Sequence, residues 1–323
     1  MKQFTAGGNE EGMRLSRFVE KVTTGLPAGL MYRSFRAKRI KVNGRRAAPD
    51  ARLRAGDLIE LYLNDEFFAL APARPARRPP KVTVVYEDEA IAVLYKPAHL
   101  LCHSDKTGDA SLVEGFCAYL AQKGGYRPEE EQAFAPALCN RLDRGTEGLV
   151  IAAKTYPALR EMNEAIRQGL VHKEYLTITC GVPPQGRHTA YLRHDEKANR
   201  VTVRPDAAPG YKESITEVTV LKTAGPFALC RIGLITGRTH QIRAHLAFLG
   251  APVLGDVKYG SRRLNERTGC KTQALCAQRL RFDPLPETGS LRGLSGREVA
   301  LNQPAILKQF EALAAGPAGQ ARR

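Results

Sequence analysis

The strongest candidate for a reactive group is an aspartate placed between two arginines. Residues 140–151 have the sequence NRLDRGTEGLVI, so Asp143 lies between Arg141 and Arg144, ahead of two glycines and an apolar strand. Neighbouring cations favour the charged form of a carboxylate, so Asp143 is expected to stay ionised even when partly buried. Such a carboxylate can act as a nucleophile or a general base. By spacing alone, an Arg–Asp network that only braces a loop is the more common explanation.

Two later segments carry polar side chains on regular elements. Residues 172–180 alternate as a strand, with Leu176 on one face and Tyr175 on the other. A tyrosine on such a face can stack on a nucleobase, although simple packing is equally common. Arg243 lies in the first turns of a helix predicted over 239–249. A guanidinium there can pair with a carboxylate or clamp a phosphate.

The helix over 239–249 must position Arg243, and the spacing of its apolar residues predicts which face of the helix is buried. Thr239 is the predicted N-cap, and apolar residues at helical spacing face the core. His240 and His245 on the same helix are interpreted as surface or capping residues. Residues 188–215 are predicted to form hairpins that flank the same region, with no role assigned.

Composition narrows the class of protein. The chain has 323 residues, 43% of them apolar, with 49 basic and 33 acidic side chains and a net charge of +16. That apolar share excludes a disordered chain, and the charge predicts an acidic partner. No apolar run is long enough for a membrane span, and the N-terminus lacks the apolar region of a secretory signal. We therefore expect a cytoplasmic protein without membrane contact.

The sequence predicts no cofactor and no metal. The seven cysteines contain no CxxC pair, which is typical of reduced thiols. His99, Cys102 and His103 are the nearest approach to a metal cluster, but no second group supplies the remaining ligands that zinc needs. The glycine motifs that bind dinucleotides or nucleoside triphosphates are also missing. Side chains alone are expected to carry the chemistry.

A proline-rich segment divides the chain into two parts. Residues 69–81 have the sequence ALAPARPARRPPK, which predicts a semi-extended linker. The predicted organisation is a small domain at 1–66, a linker at 67–81, a catalytic domain at 82–312 and a flexible tail at 313–323.

The small domain carries a basic run of one sign. Residues 33–46, RSFRAKRIKVNGRR, hold seven basic residues and no acidic one, within a predicted helix and strand. A solvated basic face explains many such runs, but this placement favours nucleic acid. The order RLSRFV, MYRSFRAKRIKVNGRR, LRAGDLIEL over 13–63 resembles an S4 RNA-binding domain. The residues expected to contact RNA are Arg33, Arg36, Lys38, Arg39 and Lys41.

The large segment resembles the pseudouridine synthases, specifically the ribosomal-large-subunit (RluA-type) family. The resemblance rests on NRLDRGTEGLVI, HKEYLTITCG and GLITGRTHQIRAHLAFLGAPVLGDVKYG, in that order, and spans about 81–285. It implies an α+β fold with a mixed, mainly antiparallel sheet, preceded by a small S4 (α-L) domain. It further implies isomerisation of uridines in structured RNA, with 23S ribosomal RNA as the favoured substrate and transfer RNA as the other. We expect a monomer.

The resemblance also assigns roles to residues. Asp143 matches the catalytic aspartate, and Tyr175 the tyrosine that stacks on the target base. Arg243 matches the basic residue that pairs with the aspartate, and Arg141 the arginine that fills the space left by a flipped nucleotide. The sequence departs from the common pattern at three positions, and one of these changes, Glu147, is expected to add negative charge near the RNA. The three positions are Asn140, Glu147 and Cys276.

Several alternatives stay open at this stage. The aspartate could take a proton from C2′ of the ribose or form a covalent bond to the sugar. A non-catalytic S4-containing protein of ribosome assembly would share much of this pattern, but it would have no need for Asp143, Tyr175 and Arg243 together. A general nucleoside hydrolase would not explain the S4 segment or the net charge.

Overall fold

The computed structural model describes residues 1–68, 78–105, 107–129 and 131–319, except for the side chains of 316–319. Most of the predicted linker, 69–77, lies outside the described residues. Among the helices described, none combines the length and apolar character that crossing a membrane requires.

The N-terminal residues form a small unit with its own core. Two helices pack on a four-stranded sheet whose strand order is β1-β4-β2-β3. Leu15, Phe18 and Val19 lie on one face of the first helix and are fully buried. The elements are β1 (Lys2–Thr5), α1 (Leu15–Val22), α2 (Ala28–Arg36), β2 (Ile40–Val42), β3 (Arg45–Arg46) and β4 (Leu58–Leu61).

Hydrogen bonds join this small unit to the large one. The Asn9 side chain donates to Glu131 Oε1 at 2.6 Å, and Gln132 Nε2 donates to the Thr5 carbonyl at 2.8 Å. The Ala133 amide donates to Glu10 Oε1 at 3.3 Å. These contacts tie the small unit to the loop that leads towards Asp143.

The large unit is built on one sheet, which in the described part of the chain has eleven strands. Its order is β11-β10-β12-β13-β9-β14-β8-β6-β5, with β15 on β14 and β7 on β8. The only parallel pair among the described strands is β14 with β8, so the predicted mixed, mainly antiparallel sheet is confirmed. The strands are β5 (Thr83–Glu87), β6 (Ile91–Lys96), β7 (Ala137–Leu138), β8 (Glu147–Ala153), β9 (Val171–Cys180), β10 (Gly186–Asp195), β11 (Arg200–Arg204), β12 (Lys212–Ala224), β13 (Phe227–Leu234), β14 (Leu275–Phe282) and β15 (Glu298–Ala300).

Helices cover this sheet, and local capping explains where they begin. The Ser111 and Glu114 side chains form a capping box at the start of α3, and Thr155 Oγ1 accepts from the Ala158 amide at the start of α4. Pro157 lies in the first turn of α4, where its missing N–H costs nothing. The helices are α3 (Leu112–Gln122), α4 (Tyr156–Arg167), α5 (Gln241–Phe248), α6 (Arg262–Thr268) and α7 (Ala305–Gly319).

The C-terminal segment differs from its prediction over part of its length. We expected a flexible tail from residue 313, but α7 continues through Gly319. Leu313 packs against the apolar cluster that contains the buried Ile306 and Phe310, which extends the ordered helix past the predicted end. Residues 320–323 lie outside the described residues.

The parallel contact between β8 and β14 depends on a glycine. Gly148 has φ +122°, and a Cβ atom there would lie 2.3 Å from the Ala277 oxygen and 2.5 Å from its nitrogen. Both atoms are backbone, so no side-chain rotation relieves the clash. The start of β8 therefore approaches β14 this closely only because residue 148 has no side chain.

Gly148→Ala is expected to lower the free energy of unfolding by about 3–5 kcal/mol, since it adds a backbone clash to an unfavourable φ. The matched control is Gly269→Ala, because Gly269 also has positive φ but has open space around its Cβ position. That change is expected to cost about 1 kcal/mol. Urea unfolding of both variants measures the difference, and equal losses would refute the close-approach explanation.

Candidate active site

Asp143 lies in a tight turn between β7 and β8. The Thr146 amide donates to the Asp143 carbonyl at 3.0 Å, and Leu142 beside it is buried. The Asp143 side chain is 24% exposed, so one side of its carboxylate faces an open space. The turn thus presents a carboxylate to solvent from a fixed backbone.

Two side chains that the sequence analysis did not assign to the site form hydrogen bonds with the backbone of this turn. Lys96 is fully buried, and its Nζ donates to the carbonyls of Pro97, Leu100 and Arg144 at 3.0, 2.8 and 3.2 Å. Burial lowers the pKa of Lys96 to about 8. The Cys102 thiol lies 3.3 Å from the Leu142 amide, which donates to it. The sequence offered only the Lys-Pro pair at the end of β6 as a signal for this support.

Arg243 joins Asp143 to a second carboxylate. Its Nη1 donates to Asp143 Oδ2 at 2.7 Å, while Nε and Nη2 donate to the two Asp256 oxygens at 2.6 and 3.0 Å. The guanidinium is 7% exposed and the Asp256 side chain 0%. Burial opposes the charge of Arg243, but the hydrogen bonds and charge of Asp256, with the charge of Asp143, raise its pKa overall.

Asp256 is the residue of this network that sequence reasoning missed. Its Oδ1 also accepts from the amides of Lys258 and Tyr259 at 2.8 and 3.1 Å. Burial would raise the pKa of Asp256, but the hydrogen bond and charge of Arg243 lower it overall. The only sequence signal was its place in the VLGDVKYG segment, to which no role was given.

His240 occupies the N-cap position of α5, which the sequence analysis gave to Thr239. Thr239 was predicted as the cap, but α5 begins at Gln241 with His240 before it at φ +52°. His240 Nδ1 lies 2.9 Å from the Tyr259 hydroxyl, and Nε2 lies 3.9 Å from Asp143 Oδ2. Burial lowers the pKa of His240 to about 4, although the Asp143 charge opposes that shift. The imidazole is therefore neutral near pH 7 and forms no ion pair with Asp143.

A cavity of about 290 Å³ opens beside Asp143. Its apolar wall includes Tyr175, which is 6% exposed and packs in the same cluster as Leu142 and Ile242. Burial, reinforced by the charge of Asp143, raises the pKa of Tyr175, so its hydroxyl stays protonated. Lys173 also lines the cavity and has no hydrogen-bond or ion-pair partner among the residues described. Burial lowers the pKa of Lys173.

The structure brings together most of the predicted site. Asp143, Tyr175 and Arg243 line one cavity, and Arg141 is an exposed residue that lines it as well. The five basic residues expected to contact RNA lie on the small N-terminal unit and not in this cavity.

The three departures from the common pattern have structural roles. The Asn140 side chain accepts from the Ile151 amide at 2.8 Å, and Cys276 is fully buried. Glu147 was expected to add negative charge near RNA, but its carboxylate accepts a hydrogen bond from the Tyr95 hydroxyl at 2.9 Å. This pairing holds the Glu147 carboxylate against β6, and Glu147 is not among the residues that line the cavity beside Asp143.

Comparisons with known proteins give this geometry its context. The family model described as RNA pseudouridylate synthase matches residues 90–248. Ribosomal large subunit pseudouridine synthase C of Salmonella typhimurium is 30% identical over 307 residues, which cover 90% of this chain and 91% of that protein. The Escherichia coli K12 protein of the same name is 30% identical over 295 residues, 88% of each chain. The structure of human RNA pseudouridylate synthase domain containing 4 has a TM-score of 0.56 at 22% identity, covering 71% of this chain and 92% of the human chain.

The chain therefore belongs to the RNA pseudouridylate synthase family, whose members are isomerases that convert uridine in RNA to pseudouridine. Within that family, its similarity to ribosomal large subunit pseudouridine synthase C extends over nearly the whole length of both chains.

His245 on α5 is buried, although the sequence analysis interpreted it as a surface or capping histidine. It is 1% exposed, and its Nδ1 lies 3.0 Å from Thr216 Oγ1. Burial lowers its pKa to about 4, and the neighbouring His188 lowers it further. The helix therefore depends on a neutral imidazole at this position.

This burial predicts a loss of stability in mild acid. An unfolded histidine takes up a proton near pH 6.5, whereas folded His245 and His240 do so near pH 4. Stability should therefore be complete above pH 6.5 and decline as pH falls towards 4, by up to about 1.4 kcal/mol per pH unit for each histidine. Urea unfolding at several pH values should show a shallower decline in His245→Asn. The exposed His99→Asn is the control, and equal slopes in all three proteins would contradict the prediction.

Proposed function

We propose that this enzyme isomerises one or a few specific uridines in 23S ribosomal RNA, with Asp143 as the catalytic residue. The observation that carries the proposal is the partly exposed Asp143 carboxylate, held at 2.7 Å by Arg243 beside a cavity that opens to solvent. The names of the relatives support ribosomal over transfer RNA as the substrate. A ribosomal substrate implies an enzyme of the cytoplasm.

The reaction requires one reactive group and a site that holds the detached base. The bond between N1 of uracil and C1′ breaks, the base rotates, and C5 bonds to C1′ while its proton is lost and N1 gains one. Asp143 starts this sequence either by bonding to the sugar or by taking the C2′ proton. In both routes the Arg243 guanidinium, 2.7 Å from Asp143 Oδ2, orients the carboxylate.

The cavity suits a single base that has left its helix. Its volume of about 290 Å³ is small, so the target nucleotide must unstack before it enters. Unstacking costs a few kcal/mol, and stacking on Tyr175 offsets part of it. The exposed Arg141 is suited to fill the space that the flipped nucleotide leaves behind. The apolar wall keeps the detached uracil from exchanging with solvent.

The small N-terminal unit is proposed to be an S4-type RNA-binding domain covering residues 1–66. Its two helices and basic run support this assignment, because four of the five predicted contacts are exposed and Lys41 is partly so. These cations add sequence-independent affinity for a phosphate backbone. We propose a monomer as the active form.

The direct test is a map of pseudouridines in cellular RNA from the parent strain and from a strain with Asp143→Asn. We expect one or a few 23S sites to disappear and all other sites to persist. In vitro, the substitution should lower the rate by roughly 10³-fold or more, because it removes the reacting charge while keeping the shape.

Asp109→Asn is the matched control. Asp109 pairs with the neighbouring Arg144 at 2.9 Å, on the exposed side of the same turn. Its loss changes the local charge but should leave the map unaltered. An unchanged map in the Asp143→Asn strain would overturn the proposal and favour a non-catalytic RNA-binding protein.

A further inference from the structure

A second cleft lies next to the active-site cavity and shares a wall with it. The cleft has a volume of about 400 Å³ and lies between β10, the start of β12 and the turn before α5. Gly237, Arg238 and Thr239 line both the cavity and the cleft. Whatever occupies one space must therefore pass close to the other.

Cations outnumber carboxylates in the lining of the cleft. Arg193, Lys212 and Arg238 line it, with Glu196 as the carboxylate in the lining. The guanidinium carbons of Arg193 and Arg204 lie 4.9 and 5.7 Å from the ring centroid of Tyr211.

These cations lack carboxylate partners. Within the described part of the chain, Arg193, Lys212 and Arg238 form no ion pair. Like charges held together without a counterion repel one another, so this arrangement favours an anionic ligand.

The cleft is fixed in position relative to Asp143. Arg238 Nε donates to the Glu213 carbonyl at 3.0 Å, and the Ile215 amide donates to Thr236 Oγ1 at 2.9 Å. Gln241 Nε2 donates to the Ile215 carbonyl at 3.0 Å, which ties the start of α5 to β12. The helix that carries Arg243 and the strand that carries Lys212 are thereby held in one arrangement.

We propose that this cleft binds the phosphodiester backbone of the RNA strand directly next to the target uridine. The inference rests on the proposed function, because it concerns the nucleotides attached to the uridine that enters the cavity. A flipped nucleotide keeps its covalent links, so the neighbouring phosphates must lie at the cavity mouth. The shared wall at 237–239 brings the unpaired cations of the cleft to that position.

A purely structural role is the alternative for these side chains. In that case Arg193 and Tyr211 would only stabilise the hairpin of β10, β11 and β12. Such a role predicts a lower melting temperature after substitution and an unchanged response to salt. Phosphate contacts predict an unchanged melting temperature and a weaker dependence on salt after substitution, because each contact releases counterions when RNA binds.

The experiment compares Arg193→Gln and Lys212→Gln with the parent enzyme on an unmodified 23S ribosomal RNA transcript. Lys222→Gln is the matched control, since Lys222 is an exposed lysine near the far end of the same strand, β12. Pseudouridine formation is measured from 50 to 300 mM KCl, and melting temperatures are recorded alongside. Binding of the transcript to Asp143→Asn proteins carrying the same changes is measured over the same salt range.

The proposal predicts that each cleft variant raises KM about 3- to 10-fold at low salt and leaves kcat within twofold. The plot of log(kcat/KM) against log[KCl] should become shallower by roughly 0.7–0.9 for each contact removed. Lys222→Gln should match the parent. Cleft variants with the parent's KM and salt slope would overturn the proposal.

The binding measurement distinguishes failure of the cleft proposal from failure of the proposed function. If the parent enzyme makes no pseudouridine, the salt slope of binding by the Asp143→Asn proteins decides the cleft alone. A shallower slope in the cleft variants then supports a backbone-binding cleft, and an unchanged slope overturns it.

Discussion

The arrangement of the site depends on one buried cation shared by two carboxylates. Arg243 is 7% exposed, and a buried guanidinium is stable only when its charge and its N–H donors are matched. Asp256 meets the Nε and Nη2 donors as a bidentate partner, while Asp143 receives a single hydrogen bond from Nη1. The three groups together carry a net negative charge. Arg243 therefore orients Asp143 through one hydrogen bond while that carboxylate still faces the cavity.

The sheet brings these residues together from distant parts of the chain. Asp143 precedes β8, Arg243 lies on α5 after β13, and β9 and β14 lie between those two strands. Asp143 and Arg243 are 100 residues apart in the sequence, and the hydrogen-bonded strands of the sheet bring them together. Gly148 allows β8 and β14 to meet, and Lys96 fixes the turn from the other side. The same network positions Tyr175, whose strand pairs with both β13 and β14.

Much of this could be predicted from sequence because it follows from local rules. Thr155 and Ser111 begin helices through caps that three or four residues define, and the alternation in β9 assigns Tyr175 and Leu176 to opposite faces. Residue type and spacing selected Asp143, Arg243 and Tyr175 as candidates, the resemblance assigned their roles, and the structure places them around one cavity.

What the sequence did not predict depends on tertiary contacts. His240 adopts a positive φ in place of the expected helical start, and His245 is buried because β12 packs over its ring. The role of Asp256 is invisible in a linear pattern, since its partner lies 13 residues earlier and on another element.

A double-mutant cycle on Asp256→Asn and Arg243→Gln tests the central claim most directly. Asp256→Asn alone removes one of the two carboxylate charges that compensate the buried Arg243 guanidinium. It should lower the free energy of unfolding by about 3–5 kcal/mol. If the charge of Arg243 depends on Asp256, adding Arg243→Gln should recover part of that loss, with a coupling energy of about 2 kcal/mol or more. Losses that add within about 0.5 kcal/mol would mean that the two residues act independently, and that Asp256 does not hold Arg243 in place for Asp143.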